Sequence, residues 1–191
     1  MATRNKGKLV EFEAILGKMS YELVGLDEVK NAPEDVEETG RTFEENAQIK
    51  AKAYGEATGI PVVADDSGLE VDALGGRPGV SSARYAPTVE ERNRKLLKEL
   101  KDVPREKRTA RFVSVVCYFD PKTKLTLTAK GSVEGEIAFK IRGVNGFGYD
   151  PIFIADELGK TFGEASDEEK NKISHRARAL GTLRKKLESY F

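Results

Sequence analysis

Nowhere is this sequence apolar for long enough to make a signal peptide or a membrane-spanning helix, and its amino terminus is polar and charged. The expected setting is the cytoplasm, with no membrane engaged. Cysteine is nearly absent. Cys117 stands alone, cannot form an intrachain disulfide, and sits in an apolar run that assigns it to the core. Net charge is absent too, because 32 Lys and Arg balance 32 Asp and Glu. That balance removes the global basic excess of a dedicated nucleic-acid binder, so no nucleic-acid partner is expected, although a local basic pocket is still allowed. No internal repeat or low-complexity segment is visible. A chain of 191 residues can bury one sizeable core, or two small lobes sharing a sheet.

What is present is concentrated in one stretch. Val62-Val63-Ala64 is a short apolar run with two β-branched residues, and it reads as a buried strand. Asp65-Asp66-Ser67-Gly68 follows, so the strand is expected to stop there with its carboxylates facing solvent. That edge of an open α/β sheet is where ligands bind, and paired carboxylates suit a hard cation such as Mg²⁺. A solvated Asp-rich turn would carry the same letters. Residues 75–85 then hold three glycines, a proline and two arginines, a permissive loop beside the acidic pair.

Taken in order, the chain opens on Thr3-Arg4-Asn5-Lys6-Gly7-Lys8, a small basic loop leading into a helical stripe at Leu9, Phe12, Ile15 and Leu16. A basic glycine loop at a helix start favours phosphate through its free N–H groups and the helix dipole. Residues 23–38 look irregular and end in an acidic run. Thr42 and Glu45 have capping-box spacing, and Asn46, Ile49, Lys50 and Ala53 recur at helical intervals, setting Lys50 beside a buried stripe. Residues 89–100 read as an amphipathic helix on Leu96, Leu97 and Leu100. Residues 111–119 are the strongest strand signal; residues 120–124 make a hairpin-like turn, and 125–129 and 131–139 continue in strand composition. Residues 143–151 set three glycines around Phe147 and Asp150, equipment for stacking on a base and hydrogen-bonding it. Phe153 between two isoleucines reads as core. Ser166 and Glu169 repeat the capping-box spacing ahead of Lys170, His175 and Arg176. Alone, His175 reads equally as a helix-cap or core histidine. The closing helix carries Ala177, Leu180, Leu183, Leu187 and Tyr190 along one face.

Five motifs, Thr3-Arg4-Asn5-Lys6-Gly7-Lys8, Glu38-Thr39-Gly40, Asp65-Asp66-Ser67-Gly68-Leu69, Phe147-Gly148-Tyr149-Asp150-Pro151 and Ser174-His175-Arg176, occur in the order seen in the inosine triphosphate pyrophosphatase family. The sequence resembles that family along essentially its whole length. The resemblance implies an elongated α/β fold with a long mixed sheet, two lobes and a cleft between them, one domain over residues 1–191, assembled as a homodimer. Val80 and Tyr85 are candidate interface residues. It implies Mg²⁺-dependent hydrolysis of ITP, dITP and XTP to monophosphate and pyrophosphate. Thr3, Arg4, Asn5, Lys6, Gly7 and Lys8 resemble the phosphate-binding loop, and Lys50 the helix lysine that reaches the triphosphate. Glu38 and Asp66 resemble the metal carboxylates, with Asp66 also the proton acceptor; the adjacent Glu37 leaves the register open. Ser67 resembles a substrate contact, Phe147, Gly148, Tyr149 and Asp150 the base pocket, Lys170 a further contact, and His175 with Arg176 the pair that closes on a 6-oxo purine. Family members commonly begin with a short apolar strand, where this sequence has Met1-Ala2.

Water attacking a highly charged phosphoryl group needs cations to draw off charge and a base to orient it. Mg²⁺ on Glu38 and Asp66, with Lys8 and Lys50, would supply the charge, and Asp65 offers a second carboxylate that could orient the water or accept its proton; because a metal lowers the basicity of Asp66, activation by the Asp65/Asp66 pair is easier to defend than a free Asp66 base. A 6-oxo purine presents an acceptor and a protonated N1, matched by Arg176 as donor and Asp150 as acceptor. Adenine reverses the pattern, at about 1–3 kcal/mol per unsatisfied group. Three other readings stay open: a sister pyrophosphatase acting on pyrimidine or modified nucleotides, a non-catalytic nucleotide sensor and, least favoured at zero net charge, a structural nucleic-acid protein.

Overall fold

The computed structural model describes residues 1–16 and 22–190, without the side chains of Lys6 and Ala14. Most of its helices begin where side chains satisfy the free N–H groups of a first turn. α1 (Lys6–Leu16) starts behind Asn5, whose Oδ1 accepts from Lys8 N at 3.3 Å. α2 (Phe43–Thr58), α3 (Val89–Glu99) and α4 (Asp167–Ile173) start from capping boxes at Thr42/Glu45, Thr88/Glu91 and Ser166/Glu169. The Thr88 box adds to the two that spacing predicts. α5 (His175–Glu188) buries Arg176, Ala179, Leu180, Leu183 and Leu187. Its apolar face is rotated from the predicted stripe, for Ala177 is half-buried and Tyr190 is exposed.

Five strands form one sheet in the order β1 (Val62–Val71), β2 (Thr109–Phe119), β3 (Thr126–Ile137), β4 (Phe153–Ala155), β5 (Lys160–Thr161). The β3/β4 and β4/β5 pairs are antiparallel. The link from β2 to β3 is a tight turn closed by Asp120 N to Leu125 O at 3.0 Å, too short for a parallel crossover. The two strand-like stretches after that turn are one continuous β3. With helices and strands interleaved along the chain, the class is the expected α/β.

Contrary to the sequence expectation, β1 does not stop at the acidic pair but runs through it to Val71, and Asp65 and Asp66 are 2% and 6% exposed. A strand can continue through two carboxylates when each has partners in the interior, and both do.

The chain divides into two compact units. The first comprises Met1–Asp66, Ser114–Gly131 and His175–Phe191. Its core joins Phe12 and Leu16 of α1 to Val116, Ala129, Leu180, Leu183 and Leu187. Here β3 passes so close to α5 that a Cβ at Gly131 would lie 2.2 Å from the His175 carbonyl oxygen, which glycine alone permits. The second comprises Ser67–Val113 and Ser132–Ser174. Leu69, Leu96, Leu100, Ile137, Ile152 and three phenylalanines fill it, with Phe112 and Phe153 edge to face at 4.6 Å. Cys117 is fully buried, as its apolar run implies.

Candidate active site

In the first unit, the amino terminus docks along β1. Ala2 N donates to Val63 O at 2.9 Å, and Met1 and Ala2 are both buried. Thr3 and Asn5 shape the loop that follows, with Asn5 N bonded to Thr3 Oγ1 at 3.2 Å. Arg4 turns away, donating to the carbonyls of Pro33 and Glu34 and facing Asp27 at 3.4 Å. Gly7 lies in the first turn of α1; the Lys6 side chain lies outside the described residues.

The strand then gathers charges from three helices. Asp65 accepts from Lys8 Nζ of α1 at Oδ1, 3.1 Å, and from Arg176 Nε of α5 at Oδ2, 3.2 Å. Arg176 also pairs with Glu11 of α1, and both are buried. Asp66 accepts from Asn46 Nδ2 of α2 at 3.0 Å and lies 3.8 Å from Lys50 Nζ, which donates to Glu38 at 2.5 Å. Asn46 Oδ1 in turn accepts from Gly40 N at 2.8 Å, tying the acidic segment to α2. Glu37 is exposed, and Glu38 reaches Lys50. Glu11 and Asn46 carry no role in the sequence reading. The signal for Glu11 is its place beside Phe12 on the buried face of α1.

The two adjacent carboxyls are pushed in opposite directions. Burial favours protonation of Asp65, but the charges of Lys8, Arg176 and Lys50 outweigh it and hold the group well below the usual carboxylate range. Burial raises Asp66, and the nearby Glu38 charge adds to it against the pull of Lys50. Among these side chains three cations face four carboxylates, leaving an excess of negative charge around Glu38 and Asp66. Among the described residues no group of three or more His, Cys, Asp or Glu is set to hold a metal. Two carboxylates sharing one ammonium do fit Mg²⁺, which takes hard oxygen ligands and keeps several waters.

The second unit gathers the other predicted side chains. Asp150, 2% exposed, accepts at Oδ2 from Phe147 N at 2.7 Å and from Lys170 Nζ at 2.8 Å. The same ammonium lies 4.4 Å from the centre of the half-buried Phe147 ring. Tyr149 is a core residue at 3% exposure, its hydroxyl donating to Ser82 O at 2.9 Å. Gly148 gives its carbonyl to Asn93 Nδ2 of α3 at 2.9 Å. Ser67 is half-buried on β1 immediately after Asp66. His175 belongs to the first unit, where it is buried as the first residue of α5. Tyr85 of the glycine loop packs on this core and pairs with Glu99.

The chain has close relatives. A model of the Ham1 family matches residues 1–186. A dITP/XTP pyrophosphatase of Symbiobacterium thermophilum is 51% identical, with 98% of this chain and 93% of the relative aligned. One of Bacillus licheniformis is 52% identical over 96% of this chain and 94% of the relative. Among solved structures, a HAM1 protein from Coxiella burnetii superposes with a TM-score of 0.89 at 41% identity, covering 98% of this chain and 96% of that one. With the family model, half-identical relatives and a solved fold all agreeing over nearly the full length, the chain belongs to the Ham1 family.

Proposed function

We propose that this protein is a dITP/XTP pyrophosphatase, hydrolysing non-canonical purine nucleoside triphosphates (ITP, dITP and XTP) to the monophosphate and pyrophosphate. The observation that carries the proposal is the convergence of Lys8, Lys50 and Arg176 on the Asp65-Asp66-Glu38 carboxylates. That arrangement suits a polyanionic substrate and proton transfer, and a merely structural ion pair does not need it.

Asp66 is the proton acceptor in this reading. Both Asp65 oxygens are occupied by cations, so Asp65 stays ionised and serves to aim Lys8 and Arg176. Asp66 has one oxygen oriented by Asn46, and burial raises it in the metal-free protein, a basicity that Mg²⁺ on the same carboxylate would lower. Water attacks the α-phosphorus, its proton passes to Asp66, and the α–β bridging P–O bond breaks with pyrophosphate leaving. Lys8 and Lys50 supply positive charge to the phosphates. Glu38 and Asp66 would hold Mg²⁺, whose charge would be drawn on by the same phosphate oxygens. The Thr3–Lys8 loop cradles phosphate; Phe147 with Gly148, Tyr149, Asp150 and Lys170 forms the base-recognising turn, and Ser67, His175 and Arg176 complete the contacts. The enzyme acts in the cytoplasm as a single domain over residues 1–191, paired into a homodimer.

Pyrophosphate release from ITP, dITP, XTP, GTP and ATP, with and without Mg²⁺, tests the reading. Mg²⁺-dependent release with ITP and XTP far ahead of ATP is the expected result. Turnover of UTP or dTTP as fast as ITP points to the pyrimidine branch, tight binding without release to a sensor, and inorganic phosphate as the product refutes the assigned bond. Sedimentation at micromolar protein should give about twice the chain mass of 21.1 kDa.

A further inference from the structure

α3 carries a polar residue where its periodicity calls for an apolar one. Asn93 lies one turn before Leu96 and two before Leu100, on the same face, and is 2% exposed, while Leu96 and Leu100 are fully buried. A buried amide costs stability unless its hydrogen bonds are made. Its Nδ2 donates to the carbonyl of Gly148 at 2.9 Å, and among the described residues its Oδ1 has no partner. The side chain is retained at a cost, and the bond it makes is to one particular peptide.

That peptide needs fixing. Gly148 has φ of 63° and follows Phe147, and no side chain at 148 restricts the backbone there. Left to itself, the peptide between Gly148 and Tyr149 could rotate and carry the Phe147 ring with it. Besides the backbone bonds of the turn itself, Asp150 N to Phe147 O at 3.2 Å and Ile152 N to Tyr149 O at 3.0 Å, three contacts oppose this within the second unit. Asp150 holds Phe147 N, Tyr149 is tethered to Ser82 O, and Asn93 grips the Gly148 carbonyl from a helix anchored by its own capping box. Ser82 is itself fixed, its Oγ accepting from Leu69 N of β1 at 2.9 Å. Among the described residues Asn93 is thus the side chain that holds the Gly148 carbonyl.

We propose that Asn93 is a positioning residue for base selection, acting through the Gly148 carbonyl to set the angle at which Phe147 and Asp150 meet a purine. It touches no reacting atom, so its loss should register in substrate binding and base preference and leave the chemical step alone. The inference rests on the reading of residues 147–150 as the base-recognising turn, and the test separates the two.

Steady-state kcat and KM for ITP and ATP are measured on the full chain and on Asn93→Ala, Phe147→Ala and the double variant. Neither KM nor the ITP/ATP ratio of kcat/KM depends on the active fraction, so partial misfolding does not obscure them. Asn93→Ala should raise KM for ITP by about tenfold, the scale of one hydrogen bond, with kcat within about twofold. It should narrow the ITP/ATP ratio. The losses read by KM in the double variant should fall short of the sum of the two single losses, since two changes acting through one turn do not add. If Asn93→Ala yields no folded protein, Asn93→Val fills more of the space, carries no donor and should give the same pattern. Unchanged KM and ratio, or losses that add fully to those of Phe147→Ala, overturn the inference and return Asn93 to the packing of α3. A Phe147→Ala variant that binds ITP normally refutes the base-turn reading itself, and the inference falls with it.

Discussion

Adjacent residues of one strand should answer the same substitution in opposite ways. Asp65 is 2% exposed with both oxygens engaged, one by Lys8 and one by Arg176. Asp65→Asn takes the carboxylate from a half-buried lysine and from a buried guanidinium that keeps only Glu11, and turns an N–H toward one of them. Breaking a buried pair from one side costs about 3–5 kcal/mol. For a chain of this size each kcal/mol moves the melting temperature by about 2–4 °C, so Tm should fall by about 6–20 °C. The sign with pH agrees. A carboxyl held below its usual range stabilises the fold above its unfolded pKa of about 3.9, and that stability drains as pH falls through the lower folded value. The Asp65→Asn variant should therefore lose this part of the acid sensitivity. Asp66 is the reverse case, raised chiefly by burial, so its charge weighs against the fold once pH passes the raised value. Asp66→Asn removes that charge while keeping an oxygen for Asn46, and Tm should stay level or rise, although pyrophosphate release from ITP should be abolished. Differential scanning calorimetry from pH 2 to 8, with activity measured on the same samples above pH 4, reads both. Equal losses of Tm in the two variants, or a stable Asp65→Asn, would refute the division into an anchoring and a reacting carboxylate.

Other outcomes follow from the same contacts. Glu38→Gln should lower the rate at ordinary Mg²⁺ and recover as Mg²⁺ is raised; a rate indifferent to Mg²⁺ removes Glu38 from the metal. Phe147→Ala should weaken the binding of every purine triphosphate by about 1–3 kcal/mol, the scale of one lost stacking face, as read by isothermal titration. Arg176→Ala should depress ITP and ATP turnover together and lower Tm, because the guanidinium is 1% exposed and engaged by Asp65 and Glu11. An ITP/ATP ratio that narrows instead returns Arg176 to the purine edge, as the family resemblance implies.

Local elements are legible wherever a local rule decides them. Thr42 and Ser166 announce helix starts because a capping box is closed within four residues, and residues 111–119 announce a central strand because their β-branched and aromatic side chains fit a pleated, buried surface. Tyr149 is illegible by such rules, for a tyrosine between glycine and aspartate looks exposed until the tether to Ser82, 67 residues away, is seen. Asn93 escapes notice since the stripe of α3 is recognised by its leucines. A polar residue at a stripe position is the available sign.

The acidic pair shows why the chemistry of a site is harder to read than its location. Asp65-Asp66 marks the place in the sequence, yet a strand end in solvent and a buried strand interior are spelled identically there. What separates them is charge arriving from far along the chain. Lys8 lies 57 residues from Asp65, Arg176 lies 111 from it, and Glu11 lies 165 from the arginine it pairs with. Each of these side chains taken alone reads as an ordinary surface charge, as most Lys, Arg and Glu are. Only when the fold sets all of them on one strand does burial become tolerable. The same burial then separates the two carboxyls, because a group with two cations must stay charged and its neighbour, facing Glu38 with one lysine between them, need not. The division of labour between Asp65 and Asp66 is therefore a property of tertiary charge placement, and two adjacent letters do not carry it.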